Sequence, residues 1–375
     1  MSRPLITVLM ALYNGGEYLK QTVKSVLGQT YAHFEFLIVN DCSTDRSLEI
    51  IASFNDDRIK IHHNHKNLGQ TPSLNIGVKL AKGDYFARID GDDLALPQWL
   101  QTQVEATERY PDYSVISSYA FAIDEKNQIK KIYKPPLDRE DIILRSLITP
   151  PIHHVGSILK KKDILDVGGY DERYIYAADY DLWERLVRKN FKITTTPKVL
   201  VAIREHAHSV SRSEHGRQDL VEVKEIAGRN ISNFIKGRFS NEEVDLFCRA
   251  NYAEGNLTAD EFNQAVAVTK RIYTNLIPTF KIEDLKIRRW TTARCRTIYL
   301  KRIFFLIIRR DYKATREVSL KGIKEFGIVS IFSILWAGSF LGGALIFVPG
   351  IYSRVLQQKA RFQSDNLTLG CFNNE

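Results

Sequence analysis

Cysteine is scarce in this chain of 375 residues, which contains only four cysteines. Cys42, Cys248, Cys295 and Cys371 lie far apart, and no CxxC pair occurs. Disulfide frameworks and zinc clusters need cysteines at short, paired spacings, so the sequence predicts neither. We therefore expect the protein to work in a reducing compartment.

Internal repeats and low-complexity tracts are lacking as well, and a signal peptide is not the expected interpretation of the first residues. The apolar run 5–12 follows Arg3, but the next residues, Tyr13-Asn14-Gly15-Gly16-Glu17, do not form the cleavage site of a signal peptide. We interpret the run as a buried first strand. With 44% hydrophobic and 26% charged residues, the chain is predicted to be neither disordered nor a polytopic transporter.

Excess charge is missing from most of the chain. Residues 281–325 contain fourteen Lys and Arg against five Asp and Glu, and this local net charge of +9 equals that of the whole protein. The basic segment directly precedes a long apolar run. This arrangement favours anionic lipid head groups as its partner and argues against nucleic acid.

The apolar run has no charged residue from Phe326 to Ser353. As a helix, residues 326–348 would be about 34 Å long, compared with about 30 Å of membrane hydrocarbon. We expect a transmembrane helix or a re-entrant hairpin, and Gly338 and Gly342 would also suit a homodimer contact between helices. The alternative is a buried core helix. Lys and Arg are more frequent before the run than after it, which predicts a cytoplasmic catalytic domain at the inner or plasma membrane.

Short β-branched runs alternate with amphipathic stretches over the first 90 residues. Strands separated by helical crossovers form a parallel sheet, and ligands bind beyond the carboxyl ends of its strands. From about residue 218 onward only helices are predicted. The chain is therefore an α/β domain followed by a helical region.

The motif Asp90-Gly91-Asp92-Asp93 places three carboxylates directly after an apolar strand. Such close negative charges raise one another's pKa unless a cation neutralises them, and oxygen ligands suit Mg²⁺ or Mn²⁺. By itself the motif would equally suit a solvated turn that caps the next helix. Its position after a parallel strand favours a metal site. Asp41 follows the second strand, so we expect it beside this motif, where its carboxylate can accept an N–H of a nucleotide base.

Taken together, these motifs resemble glycosyltransferase family 2, whose members have a GT-A fold. The matching segments are Ile6–Asn14, Asn40–Asp45, Asn67–Gly69, Leu74–Gly77, Ala81–Tyr85 and Asp90–Asp92. The resemblance implies an α/β fold with a mostly parallel central sheet, and a metal-dependent, inverting sugar transfer from a nucleotide-sugar. The family's base-contacting loop commonly reads Asp-Asp-Gly-Ser, whereas Asn40 and Cys42 replace its first and third members here.

The resemblance also implies the donor site. The base would lie against Ala11, Tyr13 and Asp41. The ribose would lie near Asp90, and the diphosphate would bind a metal held by Asp92. The donor-binding residues that it implies are Ala11, Tyr13, Asp41, Asn75, Arg88, Asp90, Asp93 and Arg204. The segment Arg204–Ser211 is similar to the family's Arg-x-His-x-x-Ser-x-Ser, which implies that Arg204 and His206 neutralise the leaving diphosphate and that His206 is a metal ligand.

An acceptor-side segment of the family is similar to residues 168–172 and 178–183. Asp179 matches the expected general base, although Ala178 replaces the Glu that commonly precedes it. A carboxylate is suited to take a proton from an attacking hydroxyl. The alternative for Asp179 is a cap of the following helix. His153 and His154 are interpreted as pocket lining, and Trp183 as core or as an acceptor wall.

The sequence thus predicts a transferase that moves a sugar, favouring a UDP-sugar, to a lipid-linked or membrane-held glycan in polysaccharide or lipopolysaccharide biosynthesis. Its predicted parts are a catalytic domain 1–217 with halves 1–110 and 111–217, a basic helical region 218–325, a membrane segment 326–353 and a tail 354–375. One alternative is a nucleotidyltransferase, although residues 13–17 lack the Lys or Arg of a phosphate loop. The other is a catalytically silent scaffold that binds a nucleotide-sugar.

Overall fold

The computed structural model describes residues 3–206, 216–235, 239–252, 257–280, 282–308 and 312–326. Nine strands lie in the first of these ranges: β1 (Ile6–Leu12), β2 (Phe34–Asn40), β3 (Ile59–His63), β4 (Tyr85–Arg88), β5 (Leu94–Ala95), β6 (Tyr113–Ile123), β7 (Ile129–Tyr133), β8 (Ile158–Lys160) and β9 (Lys192–Arg204). Seven helices alternate with them: α1 (Leu19–Leu27), α2 (Ser47–Ala52), α3 (Gln70–Leu80), α4 (Trp99–Arg109), α5 (Arg139–Ser146), α6 (Lys161–Asp166) and α7 (Ala178–Arg188).

All nine strands form one sheet in the order β3-β2-β1-β4-β8-β6-β9-β5, with β7 beside β6. The first four strands in this order are parallel, as predicted. The sheet as a whole is mixed, however, because β8 runs antiparallel to both β4 and β6, and β5 runs antiparallel to β9. The longest pair of strands, β6 and β9, is also parallel, so the expected parallel character holds within a mixed sheet. The strand–helix rhythm predicts only the parallel strands of the first 90 residues, where crossovers enforce parallel pairing.

Strand β1 shows why the sheet is buried on both faces. Ile6, Val8 and Met10 belong to one apolar cluster with α1 and α4, whereas Leu9 belongs to a second cluster with α3 and α7. Successive side chains of a strand point to opposite faces, so an uninterrupted apolar run needs helices on both sides. Each fully buried aliphatic side chain contributes about 1.5–3 kcal/mol.

The chain beyond β9 is helical in the described ranges, as predicted. Its helices are α8 (Gly216–Phe234), α9 (Asn241–Tyr252), α10 (Ala259–Phe280), α11 (Asp284–Ile308) and α12 (Tyr312–Phe326). Ile226 and Ile231 of α8 belong to the same apolar cluster as Tyr180 and Trp183 of α7. Helix α8 therefore completes the core of the α/β domain. The chain divides into two compact units, 1–291 and 292–375, and the predicted boundaries at 217 and 325 stay predictions.

No helix within the described ranges is both long and apolar enough to cross a membrane. The predicted membrane segment 326–353 lies outside these ranges apart from Phe326. The same holds for Gly338 and Gly342, the residues of the predicted homodimer contact, and for the tail 354–375.

Candidate active site

The carboxyl ends of β1, β2 and β4 lie side by side and carry the loops of the candidate site. The amide of Asp41 donates to the carbonyl of Leu12 at 2.7 Å, and the amide of Ile89 donates to the carbonyl of Leu9 at 3.3 Å. Tyr13 and Asp90 therefore extend from the same sheet edge as Asp41. Ala11 is half-buried near the end of β1, whereas the Tyr13 side chain is 51% exposed.

The carboxylate of Asp41 is almost fully buried and closes a loop. It accepts hydrogen bonds of 2.8 Å from the side-chain amide of Asn64 and from the backbone amides of Leu68 and Gly69. Gly69 has a φ of 93°, a left-handed conformation that glycine adopts without steric cost. Asp41 thus fixes the wall of the expected base pocket, and its contact to the base itself stays a prediction.

Asp90 connects the acidic motif to the loop that Asp41 holds. One of its oxygens accepts from Nε2 of Gln70 at 3.1 Å and also from the guanidinium of Arg88. Arg88 has no exposed surface, and the other described hydrogen bond of its guanidinium goes to the carbonyl of Ile89. The predicted donor-binding role of Arg88 would therefore act through Asp90.

The side chain of Asp93 is buried at the base of the same motif. Its Oδ1 accepts the backbone amide of Arg204 at 2.8 Å. Burial, and then the charges of Asp92 and Asp90, raise the pKa of Asp93 well above its usual value. Asp93 therefore anchors the motif to β9 and does not face solvent.

The guanidinium of Arg204 connects three segments around the acidic motif. Its Nε donates to the carbonyl of Asp92 at 2.9 Å, Nη1 to Oδ1 of Asn127 at 2.7 Å, and Nη2 to Oε1 of Gln21 at 3.2 Å. It also lies 4.3 Å above the ring of Tyr18, at a distance typical of a cation–π contact. Arg204 thus holds the motif in place, and its predicted contact to the diphosphate stays a prediction.

Asp92 and His206, the two predicted metal ligands, are in direct contact. Nε2 of His206 lies 2.9 Å from Oδ2 of Asp92, and the imidazole packs on Tyr18 with ring centres 5.3 Å apart. Burial and the charge of Asp90 raise the pKa of Asp92, while the His206 contact opposes this shift. A nearby cation would relieve that unfavourable charge.

A divalent metal fits this pair. Neighbouring ligands of an octahedral ion with bonds of about 2.1 Å are about 3 Å apart, close to the separation of Asp92 and His206. No group of three or more His, Cys, Asp or Glu within the described ranges is placed to hold a metal. Such an ion would therefore need further oxygen ligands from water or from a diphosphate, as Mg²⁺ commonly does.

Asp179 lies in the first turn of α7, and its Oδ1 accepts the amide of Tyr180 at 2.7 Å. Helix α7 begins at Ala178 with Ala177 at the N-cap, so Asp179 is not the capping residue of this helix, and its catalytic role stays a prediction. Asn75 lies nearby and binds the backbone of Tyr170 twice, at 2.8 and 2.9 Å. Its amide also donates to Glu172, so Asn75 fixes the loop before α7, and its predicted donor contact stays a prediction.

Tyr170 brings the two halves of the site together. Its buried hydroxyl bonds Nε2 of His154 at 2.8 Å. Burial raises its pKa, the Arg88 charge opposes this, and the charges of Asp179 and Asp90 raise it further. The link between the two halves is the pair of hydrogen bonds from Asn75 to the backbone of Tyr170, and a pocket shared by the acidic motif and Asp179 stays a prediction.

Sequence reasoning missed several residues of this site. Tyr170 lies in the segment 168–172 without a signal of its own, and Tyr18 and Gln70 carry no local signal of function. The pair Gly168-Gly169 was the available signal for Tyr170, since φ is 93° and 73° there. His154 contacts the hydroxyl of Tyr170, and its role as pocket lining stays a prediction. Trp183 is a core residue with no exposed surface. His208 lies outside the described ranges.

Known proteins are similar to this chain in fold and in sequence. A sequence model described as "Glycosyl transferase family 2" matches residues 7–168. A crystal structure of S. aureus TarS 1–349 in complex with UDP-GlcNAc superposes with a TM-score of 0.52 at 16% identity, covering 84% of this chain and 90% of that one. Against a longer structure of S. aureus TarS the TM-score is 0.50, and this chain spans 54% of it. At this identity the likeness concerns the fold alone.

Sequence relatives agree with this assignment. An uncharacterised glycosyltransferase of Haemophilus influenzae is 33% identical over 243 residues, which is 62% of this chain and 75% of the relative. One of Methanocaldococcus jannaschii is 35% identical over 208 residues, covering 54% and 72%. These relatives favour the enzymatic interpretation over the scaffold and the nucleotidyltransferase. The α/β GT-A-like fold and the match over the donor half agree with the predicted resemblance, and the chain belongs to glycosyltransferase family 2.

Proposed function

We propose that the protein transfers a sugar from a UDP-sugar to a hydroxyl of a lipid-linked or membrane-held glycan, with inversion at the anomeric carbon. The observation that carries this proposal is the start of α3, where Gln70 binds Asp90 and Thr71 binds the carbonyl of Tyr174, five residues before Asp179. A donor seated on the acidic motif would present its anomeric carbon towards Asp179. A carboxylate base on the acceptor side and a diphosphate leaving group on the donor side suit a single displacement.

Asp179 is the proposed general base. As the acceptor hydroxyl attacks the anomeric carbon, its proton passes to the carboxylate and a new glycosidic bond forms. The bond between that carbon and the diphosphate oxygen breaks on the opposite side, and UDP leaves. Asp92 and His206 would hold Mg²⁺ or Mn²⁺, which supplies positive charge to the diphosphate when bound.

The base pocket supports a nucleotide donor. Tyr13 is half-exposed beyond β1 and offers a ring face on which a base can stack. Asp41 holds the neighbouring loop through Leu68 and Gly69. The choice of UDP is a proposal in keeping with the UDP-GlcNAc bound to the structural neighbour TarS.

The membrane-held acceptor rests on the basic segment 281–325 and the uncharged segment 326–353. Lys and Arg near an apolar segment attract anionic head groups, which would hold the site next to a lipid-linked glycan at the cytoplasmic face. A homodimer through Gly338 and Gly342 belongs to the same proposal. Truncation after residue 320 tests it, because a truncated protein that still sediments with membranes would rule out this anchor.

A screen of nucleotide-sugars for released nucleoside diphosphate, with and without Mn²⁺, tests the activity. We expect UDP release with a UDP-sugar, a strong increase with Mn²⁺, and losses of roughly 100-fold or more in Asp92→Ala and Asp179→Asn. Asp166→Asn is the matched control, since Asp166 pairs only with Lys162 on the surface in the described contacts. Equal activity of Asp179→Asn and the wild type would remove the proposed base.

A further inference from the structure

Helix α8 contacts the segment that leads into Asp179. Glu222 of α8 accepts hydrogen bonds from three consecutive backbone amides, those of Ile175 at 3.0 Å and of Tyr176 and Ala177 at 2.8 Å. Asp179 follows two residues later in the first turn of α7. A single carboxylate thus fixes the backbone on which the proposed base is mounted.

The Glu222 carboxylate supplies the hydrogen-bond acceptor that the residue before α7 lacks. The residue before α7 is Ala177, whose side chain has no oxygen to cap the helix. Backbone amides at a helix N-terminus need an acceptor and favour a negative charge. Glu222 provides both from another helix. Its charge-assisted bonds are stronger than those of a neutral acceptor.

Burial of side chains holds the segment 175–177 only at its end, where Ala177 belongs to the apolar core. The side chain of Ile175 is 62% exposed, so it adds little packing to the segment. Tyr174 is buried and is fixed separately, because its carbonyl accepts Oγ1 of Thr71 at 2.8 Å. Between Tyr174 and Ala177, the hydrogen bonds to Glu222 therefore hold the backbone where side-chain packing is weakest.

Two more residues on the same face of α8 hold the flanking positions. Glu225 accepts the hydroxyl of Tyr174 at 2.7 Å, and Arg229 pairs with the buried Asp181 at 2.5 Å. With Glu222 they have spacings of three and four, which place them on one side of a helix. Helix α8 therefore contacts the segment both before and after Asp179, although it lies beyond the residues 7–168 of the family match.

We propose that Glu222 is a positioning residue for Asp179, so that α8 forms part of the acceptor half of the enzyme. This inference rests on the proposed role of Asp179 as the base. Misplacement of a catalytic group by about 1 Å can reduce the rate by about 100-fold. Loss of the Glu222 contacts is therefore expected to slow sugar transfer without changing donor binding.

The test compares Glu222→Gln with Glu261→Gln. Glu261 accepts the amide of Thr258 at 2.7 Å at the start of α10, so its loss removes a similar contact away from Asp179. We expect Glu222→Gln to lower kcat for transfer roughly tenfold with an unchanged KM for the donor, and to speed hydrogen exchange of amides 175–177. Glu261→Gln should leave kcat unchanged. Glu222→Asp, which keeps the charge, should recover part of the transfer and also serves if Glu222→Gln folds poorly.

The outcomes separate this inference from the proposed function. A wild-type kcat in Glu222→Gln, or equal losses in the two Gln variants, would overturn the positioning role while transfer by the wild type still stands. A wild-type protein that releases no nucleotide from any donor would instead overturn the proposed function. Unchanged exchange of amides 175–177 in Glu222→Gln would show that the contacts do not restrain the segment.

Discussion

The backbone amide of Arg204 donates to Oδ1 of Asp93 at 2.8 Å, which joins the end of β9 to the acidic motif across 111 residues of sequence. The guanidinium of the same arginine holds the carbonyl of Asp92. The proposed metal ligand is therefore oriented by a residue that was expected to contact the donor itself.

Replacement of Arg204 by lysine tests this arrangement. Lysine keeps the charge but cannot reach Asp92, Asn127 and Gln21 together, because its ammonium is a single point donor. We expect the free energy of unfolding to fall by about 3 kcal/mol, from hydrogen bonds to a charged group worth about 1.5–3 kcal/mol each. Denaturant titration measures this change. Arg139→Lys, which loses only a surface contact to Asn190, should change it by less than about 1 kcal/mol.

Metal removal provides a second prediction. If Asp92 and His206 hold the ion, Mn²⁺ should tighten UDP binding to the wild type at least tenfold, and chelation should reverse this gain, since metal and diphosphate bind as one unit. Calorimetric titration with UDP, with and without Mn²⁺, measures the effect. In Asp92→Asn the gain should vanish, whereas in His33→Asn, a surface variant, it should persist. An undiminished gain in Asp92→Asn would exclude Asp92 as a ligand.

Asp93 gives a pH-dependent prediction. Its pKa is raised in the folded protein by burial and by Asp92 and Asp90, so the folded state binds the proton more tightly than the unfolded one. The ionised form therefore costs stability, and this cost grows as the pH rises above the unfolded pKa. Asp93→Asn keeps an acceptor for the Arg204 amide and removes the charge. We expect its Tm to exceed that of the wild type at pH 7 and to approach it near pH 4.

A thermal scan across this pH range checks the prediction. Asp112→Asn is a suitable control, because Asp112 is exposed and pairs with Lys192, which lowers its pKa. Its effect on Tm should be small and of opposite sign at pH 7. A lower Tm for Asp93→Asn at pH 7 would contradict the assigned direction of the shift.

Gly69 and Gly168 form a matched pair for separating the two halves of the site. Both have a φ of 93°, and neither is crowded, because an added Cβ would meet only Cδ of Pro72 at 4.0 Å at Gly69 and nothing within 4 Å at Gly168. Alanine at each should therefore cost a similar amount of stability, about 1–2 kcal/mol, from backbone strain alone. Only Gly69→Ala disturbs the loop held by Asp41, so it should weaken UDP binding by several-fold. Gly168→Ala should leave UDP binding intact and lower the rate of transfer.

Equilibrium binding of UDP and the steady-state rate of transfer distinguish these two variants. If both weakened UDP binding equally, the division between a donor loop and an acceptor loop would be wrong. If neither changed binding or rate, the two loops would contribute to folding alone.

Much of the fold could be predicted from the sequence, because the patterns that indicate its strands and helices are local. The apolar run of β1 and the carboxylates of residues 90–93 directly after β4 both report on neighbouring positions in the chain. Periodic burial and strand–helix alternation depend on a few successive residues, so they predicted the parallel half of the sheet and the edge that bears the site. The family resemblance added Asp179, which local chemistry alone would equally assign to a helix cap.

Tertiary structure alone decided which partners these residues have. Strand β8 pairs antiparallel to β4, Arg204 holds Asp93, and Glu222 caps the segment before Asp179. These contacts join residues from about 45 to 111 positions apart, and the periodicity of the sequence does not predict them. Hydrogen-bond partners at such separations depend on how the helices pack against the sheet, and that packing is set by the summed burial of many side chains. The sequence determined which groups are available for the proposed chemistry, and the folded packing determined which groups hold them in place.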